Sequence, residues 1–156
     1  MQIVEQFDRD TARSKVRDPI RLDVVYTGRS TRQALKKAVD LAAGLEARIR
    51  VILPRVVPFP LPLHDPPVSR GFDRRRVLSM VNRYAPGACV LICYCRDEVT
   101  GLLHALGQGL EVASRHTIVM AGKKRRWFPT KEQRTAERLE AAGLNVVFVD
   151  HGGNHA

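Results

Sequence analysis

The sequence predicts one α/β domain with a five-stranded parallel sheet covered by helices on both faces. Five short apolar runs alternate with four segments of helical spacing. The third run, Ala88–Cys95, is almost continuously apolar, which is typical of a strand buried on both faces. Helical connections between consecutive strands favour right-handed crossovers and parallel pairing. The length of 156 residues suits a single domain.

The first predicted strand is Leu22–Tyr26, and the turn after it carries Ser30 and Thr31 as candidate helix caps. The following helix has apolar residues on one face and ends near Leu45. Arg48–Leu53 is the second strand, and we expect it to continue as an extended segment to Val57.

A proline-rich loop follows the second strand. Six prolines exclude regular structure across most of residues 54–70. Loops of this length are often functional or mobile. Phe72–Tyr84 then returns to helical spacing, and Pro86 with Gly87 ends that helix.

The third helix begins at Asp97 or Thr100, after the strand Ala88–Cys95. Three glycines interrupt it, and we expect them to permit close packing on the sheet at a cost of up to about 1 kcal/mol each relative to alanine. They are Gly101, Gly107 and Gly109.

The last third of the chain holds the fourth strand, His116–Ala121, and a basic turn over residues 122–129. Thr130 and Gln133 have the spacing of a capping box and predict the start of the last helix. Gly143 ends this helix, and Asn145–Val149 is the fifth strand.

The predicted domain covers residues 21–150, between an N-terminal arm over residues 1–20 and a frayed tail over residues 151–156. The arm is polar and mixed in charge, and we interpret it as loose, with room for one short helix. It lacks the basic start and apolar core of a secretory signal. No apolar run approaches the roughly 20 residues of a membrane span. These features favour a cytoplasmic protein with no membrane insertion.

Three cysteines, Cys89, Cys93 and Cys95, lie in one apolar run. An odd number in one strand does not form a disulfide framework and indicates a reducing compartment. Alternation places all three on one strand face, where buried structural thiols are expected. No second Cys or His cluster completes a tetrahedral metal set, so no metal site is predicted.

The net charge of +10 arises from 26 Lys and Arg against 16 Asp and Glu. Such an excess favours polyanions, anionic membrane surfaces or phosphorylated ligands. The alternative is that much of the excess only solvates the surface, since many of the arginines fall in loops and on exposed helix faces.

The basic turn is the most informative feature for function, because ligands of open α/β sheets bind where strand ends turn into helices. It carries four consecutive cations, residues 123–126, followed by Trp127 and Phe128. One interpretation is an anion or nucleotide site. Another is a nucleic-acid surface, in which the aromatic pair stacks on bases and the arginines at positions 70 and 74–76 add charge.

Residues 21–150 resemble the universal stress protein family. The resemblance rests on the opening Asp23–Leu35, the proline-rich loop, and the closing Leu139–Val149 with its glycine between helix and strand. It implies a flavodoxin- or Rossmann-like three-layer sandwich with strand order 3-2-1-4-5. It also implies a nucleotide-binding regulatory module of the stress response.

The resemblance implies an ATP site that this chain has altered. Of the family's phosphate-loop glycines only the first, Gly122, is matched, and later motif positions fall on Arg125, Thr135 and Ala136. Side-chain charge is then expected to replace backbone cradling. The predicted ligand is a nucleotide, ATP among the candidates, or another phosphorylated anion. The candidate binding residues are Thr27, Gly28, Arg29, Gly122, Lys123, Lys124 and Arg125.

The last strand carries a run of apolar residues, Val146, Val147, Phe148 and Val149. A bare apolar edge strand is a liability, and pairing with a twofold copy removes it. The family often dimerises in this way, so a homodimer is expected. No catalytic motif is visible. The function classes left open are a regulatory or binding module, a basic nucleic-acid-associated protein, and an enzyme acting on a phosphorylated or nucleotide substrate.

Overall fold

A computed structural model describes residues 4–7, 20–107 and 116–152. The five predicted strands and four predicted helices are all present among them, and one further strand precedes them. The strands are β1 (Val4–Phe7), β2 (Arg21–Val25), β3 (Arg48–Val56), β4 (Cys89–Cys95), β5 (His116–Gly122) and β6 (Asn145–Asp150). The helices are α1 (Thr31–Ala42), α2 (Arg70–Tyr84), α3 (Glu98–Gly107) and α4 (Lys131–Ala141).

The sheet has the order β1-β4-β3-β2-β5-β6. Strands β2 to β6 are parallel and reproduce the predicted order 3-2-1-4-5, which confirms the fold class. β1 pairs antiparallel with β4, in the register Val4 opposite Cys93 and Phe7 opposite Val90. Residues 4–7 of the arm therefore form an edge strand of the sheet and not the expected loose segment, whereas residues 1–3 and 8–19 of the arm lie outside the described residues.

Two apolar layers cover the sheet. Alternating residues of β4 separate them: Val90, Ile92 and Tyr94 belong to one layer, and Leu91, Cys93 and Cys95 to the other. The first layer receives α1 and α2, whereas the second receives α3 and α4. The result is the expected three-layer sandwich.

Side chains fix where three of the helices begin. Thr130 and Gln133 form the predicted capping box of α4. The Asp97 carboxylate accepts from the Thr100 amide at 2.8 Å and from its hydroxyl at 2.9 Å. These bonds hold the pKa of Asp97 below its ordinary value. At α2, Ser69 accepts from the Phe72 amide at 3.3 Å.

Gly101 lets α3 lie directly on β4. A Cβ atom at Gly101 would stand 2.6 Å from both Cβ and Sγ of Cys95, so the predicted close packing is confirmed there. The prediction is wrong for Gly107, which has open space around it among the described residues, and Gly109 lies outside them. Cys93 and Cys95 are buried thiols, as predicted, whereas Cys89 is only half-buried. A hydrogen bond with Cys93 and burial raise the pKa of the Cys95 thiol, which keeps it protonated at neutral pH.

Two arginines hold the proline-rich loop against the domain. The Arg96 guanidinium lies 4.0 Å from the ring centroid of Phe59 and donates to the Val57 carbonyl at 2.9 Å. Arg70 donates to the His64 carbonyl at 3.2 Å and lies 5.3 Å from the ring centroid of Tyr94. These contacts hold the loop to the domain at Val57, Phe59 and His64. None of the helices in the described ranges is long and apolar enough to cross a membrane.

Candidate ligand-binding site

A cavity of about 320 Å³ opens at the carboxyl ends of β2 and β3. The turn after β2 and the end of β3 form its floor, and the first turns of α3 and α4 form its walls. Helix N-termini of this kind favour anions. The lining residues are Tyr26, Thr27, Gly28, Leu53, Pro54, Arg55, Val56, Glu98, Lys131 and Glu132.

The turn after β2 is bonded to the neighbouring segment at the end of β5. Thr27 Oγ1 donates to the Ala121 carbonyl at 2.9 Å, and the Thr27 amide donates to Thr31 Oγ1 at 2.8 Å. Ser30 Oγ lies 2.5 Å from Nε2 of His151. Ser30 was one of the two predicted caps of α1, but its side chain makes no capping hydrogen bond to that helix. These bonds place the cavity directly beside the basic turn.

Two glycines shape this region for different reasons. Gly28 has φ of +75°, a left-handed conformation that side chains rarely adopt. Gly122 is required by space, because a Cβ atom there would stand 2.8 Å from Cβ of Glu132. Gly122 thus lets α4 approach the end of β5 and brings Glu132 into the cavity.

The basic turn is tied down through its backbone. The Lys124 amide donates to Asp150 Oδ1 at 3.1 Å, and the Arg125 amide donates to Gln133 Oε1 at 2.8 Å. Lys123 contributes its carbonyl, which accepts from Thr130 Oγ1 at 3.0 Å. The side chains of residues 123–128 are exposed. The turn therefore presents side-chain charge, while the amides of residues 124 and 125 are already engaged.

Asp150 is an acceptor for two backbone amides at this edge. Besides Lys124, the Gly152 amide donates to its Oδ1 at 2.8 Å. Both bonds, first that of Gly152, hold the pKa of Asp150 below its ordinary value. The carboxylate is thus ionised at neutral pH and fixes the basic turn to the end of β6.

The cations of the cavity are paired with carboxylates. Arg55 donates to Asp73 at 2.8 Å, and Asp73 is almost fully buried. Lys131 Nζ lies 2.5 Å from Glu98 Oε2. Glu132 makes no ion pair with any residue of the described ranges. The lining itself carries two cations and two carboxylates. Because Arg55 is paired with Asp73, which lies outside the lining, the charge of Glu132 is left over.

The structure distributes the predicted site residues over three places. Thr27 and Gly28 line the cavity. Gly122 packs against Glu132 of its wall. The side chains of residues 123–125 are exposed on the adjoining turn. Arg29 lines a second cavity, between α1 and α2.

Sequence reasoning missed several of the residues that build the site. Gln133 was predicted as a helix cap, yet its side chain also binds the backbone of Arg125. Gln133 Oε1 accepts from the Arg125 amide, and Gln133 Nε2 donates to the Arg125 carbonyl at 3.3 Å. No local pattern signals that Asp150 accepts from Lys124, since the two are 26 positions apart. The end of β3 enters the lining only through the sheet order.

A protein from the universal stress protein family of Burkholderia pseudomallei has a similar solved structure. The two chains are 22% identical with a TM-score of 0.55, and the match covers 83% of this chain and 95% of that one. The chain has a universal-stress-protein-like fold. At this identity the likeness establishes the fold alone. No family model matches the sequence, and no curated protein matches it.

Proposed function

We propose that this chain is a universal-stress-protein-like regulatory module that binds a nucleotide or another phosphorylated anion in the cavity beside the basic turn. The observation that carries the proposal is the bond from Thr27 Oγ1 to the Ala121 carbonyl, which joins the cavity to the turn with its four cations. The site lies at the carboxyl ends of parallel strands, where open α/β sheets bind ligands.

The phosphate groups are held by side chains rather than by backbone amides. Lys123 and Lys124 are exposed beside the cavity, whereas the Lys124 amide is already bonded to Asp150. Lysine and arginine side chains pair readily with phosphate oxygens. In a glycine-rich loop backbone amides bind the phosphate, whereas here lysine side chains take that role.

The carboxylates of the cavity set the orientation of the ligand. Glu98 and Glu132 line its walls and repel phosphate, but they accept hydrogen bonds from hydroxyl groups. A nucleotide therefore places its ribose hydroxyls towards these carboxylates and its phosphates towards the basic turn.

A thermal-shift titration tests this proposal. ATP, ADP, AMP, cyclic dinucleotides and inorganic phosphate are each added to the wild type and to Lys123→Ala/Lys124→Ala. A ligand at 100 times its dissociation constant stabilises the fold by about 2.7 kcal/mol. We expect a shift with a nucleotide that the double variant loses.

The matched control is Lys37→Ala/Arg48→Ala, which removes the same charge at exposed residues outside the cavity lining. The control should keep the shift. No shift with any of the five ligands would overturn nucleotide and phosphate binding. A shift that both double variants retain would contradict the role given to the basic turn.

We also propose that the protein forms a homodimer through β6. The strand pairs with β5 on one side, and Val146, Val147, Phe148 and Val149 are only partly buried. Sedimentation equilibrium measures the mass directly. A monomer at millimolar concentration, which corresponds to an association weaker than about 4 kcal/mol, would contradict the dimer.

A further inference from the structure

A second cavity, of about 530 Å³, lies between α1 and α2 and contains four arginines. One wall is formed by Arg29, just before α1, and by Arg32, on α1. Arg76 and Arg83 form the other wall, on α2. Ser79, Met80 and Tyr84 complete the lining, which includes no carboxylate. We call this feature the arginine groove.

None of the four arginines forms an ion pair with a carboxylate within residues 20–107 and 116–152. In this respect they differ from Arg50, Arg55 and Lys131, which each have a carboxylate partner. Like charges gathered in one groove repel one another and attract counter-ions. The arginine groove therefore carries positive charge without a carboxylate partner, which attracts an external anion.

The cations recur along both walls of the groove. Arg76 and Arg83 are seven residues apart, which corresponds to about 10 Å along a helix. On the opposite wall Arg29 and Arg32 are followed by Lys36, whose Nζ lies 5.6 Å from the ring centroid of Tyr84. Such spacing suits an extended ligand with several charges along its length rather than a single ion.

The aromatic ring of the groove is already covered. Lys36 Nζ and the Arg83 guanidinium each lie 5.6 Å from the centroid of the half-buried Tyr84. A ring occupied by two cations does not offer a platform for a base. Contacts in the groove are therefore made by guanidinium groups, which bind phosphate oxygens in pairs and carry no base specificity.

The end of the arginine groove at Arg29 adjoins the basic turn. Ser30, next to Arg29, contacts His151, and the neighbouring Asp150 accepts from the Lys124 amide. Two exposed aromatic side chains, Trp127 and Phe128, follow the cations of that turn and are 82% and 80% accessible. Arg126 lies 5.8 Å from the centroid of the Trp127 ring, but both rings stay largely accessible, unlike the half-buried Tyr84. Exposed rings beside cations suit base stacking, whereas an acidic peptide has no bases to stack.

We propose that the arginine groove binds the phosphodiester backbone of a single-stranded nucleic acid without sequence preference. The strand lies between α1 and α2, with its phosphates on Arg29, Arg32, Arg76 and Arg83. Where it leaves the groove past Arg29, its bases reach the aromatic pair of the basic turn. This site is separate from the cavity at the ends of β2 and β3.

Fluorescence anisotropy with a labelled oligothymidylate of about 15 nucleotides tests the proposal, a length within the range of single-strand sites. Arg76→Gln/Arg83→Gln should weaken binding about tenfold or more. It should also reduce the slope of log K against log salt by about 1.4, since each phosphate contact on a single strand contributes about 0.7. Arg29→Gln/Arg32→Gln on the other wall should have the same effect.

The control is Arg21→Gln/Arg48→Gln, which removes two exposed arginines at the amino ends of β2 and β3 and the same net charge. Circular dichroism verifies that each variant is folded. A control that weakens binding as much as the groove variants would show that binding follows net charge, and would overturn the proposal. Competition by polyglutamate as effective as that by unlabelled oligonucleotide would also overturn it, in favour of an unspecific anion surface.

Discussion

The cavity at the ends of β2 and β3 and the arginine groove are both lined by cations, but the cations have different surroundings. In the cavity Arg55 is bonded to Asp73, and Lys131 to Glu98. In the groove the four arginines have no carboxylate in the lining. The comparison shows that a high net charge does not locate a ligand site. The cations available to a ligand are those that the fold leaves without a carboxylate partner.

The largest expected difference between the two regions concerns stability. Asp73→Ala leaves the Arg55 charge without its carboxylate, and we expect unfolding to become easier by about 3 kcal/mol. This is the lower end of the range for buried pairs, because the Arg55 side chain is 34% accessible to water. Arg76→Gln in the groove should change stability by less than about 0.5 kcal/mol. Urea denaturation measures both, and similar losses would remove the distinction between paired and free cations.

Packing below the cavity gives the next largest effect. Gly101→Ala forces a Cβ atom into Cys95, and overpacking of this kind costs about 2 kcal/mol. Because α3 carries Glu98 into the cavity wall, the variant should weaken nucleotide binding and leave oligonucleotide binding in the groove unchanged. Gly107→Ala is the control, since no described heavy atom lies within 4 Å of its added Cβ. Loss of both ligands in Gly101→Ala would indicate that the two regions are not independent.

Loss of the Gln133 hydrogen bonds that hold the basic turn should have a smaller effect on stability. Gln133→Ala removes the bonds to Thr130 and Arg125, and we expect a loss of about 1 kcal/mol. The turn should then exchange its amide protons faster in hydrogen-exchange measurements. Glu137→Ala, one turn later on the exposed side of α4, is the control. Unchanged exchange at residues 124 and 125 would show that Gln133 does not hold the turn.

The smallest predicted effect is a dependence of stability on acid. The amide and hydroxyl of Thr100 lower the pKa of Asp97 in the folded protein, so the stabilisation is fully present above its ordinary pKa of 3.8. It is lost as the pH falls through the lower, folded value. The side chain is 49% accessible, so the contribution is a few tenths of a kcal/mol. Asp97→Asn should flatten the stability curve below about pH 4, and an unchanged curve would contradict the assignment.

The fold could be predicted from local patterns because each pattern reports one element. Five apolar runs, separated by segments of helical spacing, predicted the five strands. The spacing of Thr130 and Gln133 predicted the start of α4. β1 was missed because Val4–Phe7 is only four residues long, too short for a period to be visible. Its position depends on pairing with β4, whose partner residues lie between 83 (Phe7 with Val90) and 89 (Val4 with Cys93) positions later in the chain.

The candidate sites could be predicted only in part, because charge pairing depends on three-dimensional contacts. The sequence placed Thr27, Gly28 and the basic turn at one edge of the sheet through the strand order. It could not show that Asp73 neutralises Arg55, or that Arg29 faces α2. Arginines at positions 74–76 formed one cluster in the sequence, whereas the structure places only Arg76 in the groove lining.

The short strand β1 has a consequence for handling the protein. It covers the outer edge of β4, whose seven residues, Cys89–Cys95, are apolar and rich in strand-forming types. Without β1 this edge would expose unpaired backbone groups on a segment of the kind that seeds intermolecular sheets. Trimming the first seven residues, or blocking them with a bulky tag, would thus turn a buried core strand into a nucleus for aggregation. We therefore expect the first seven residues to be needed for the protein to stay soluble.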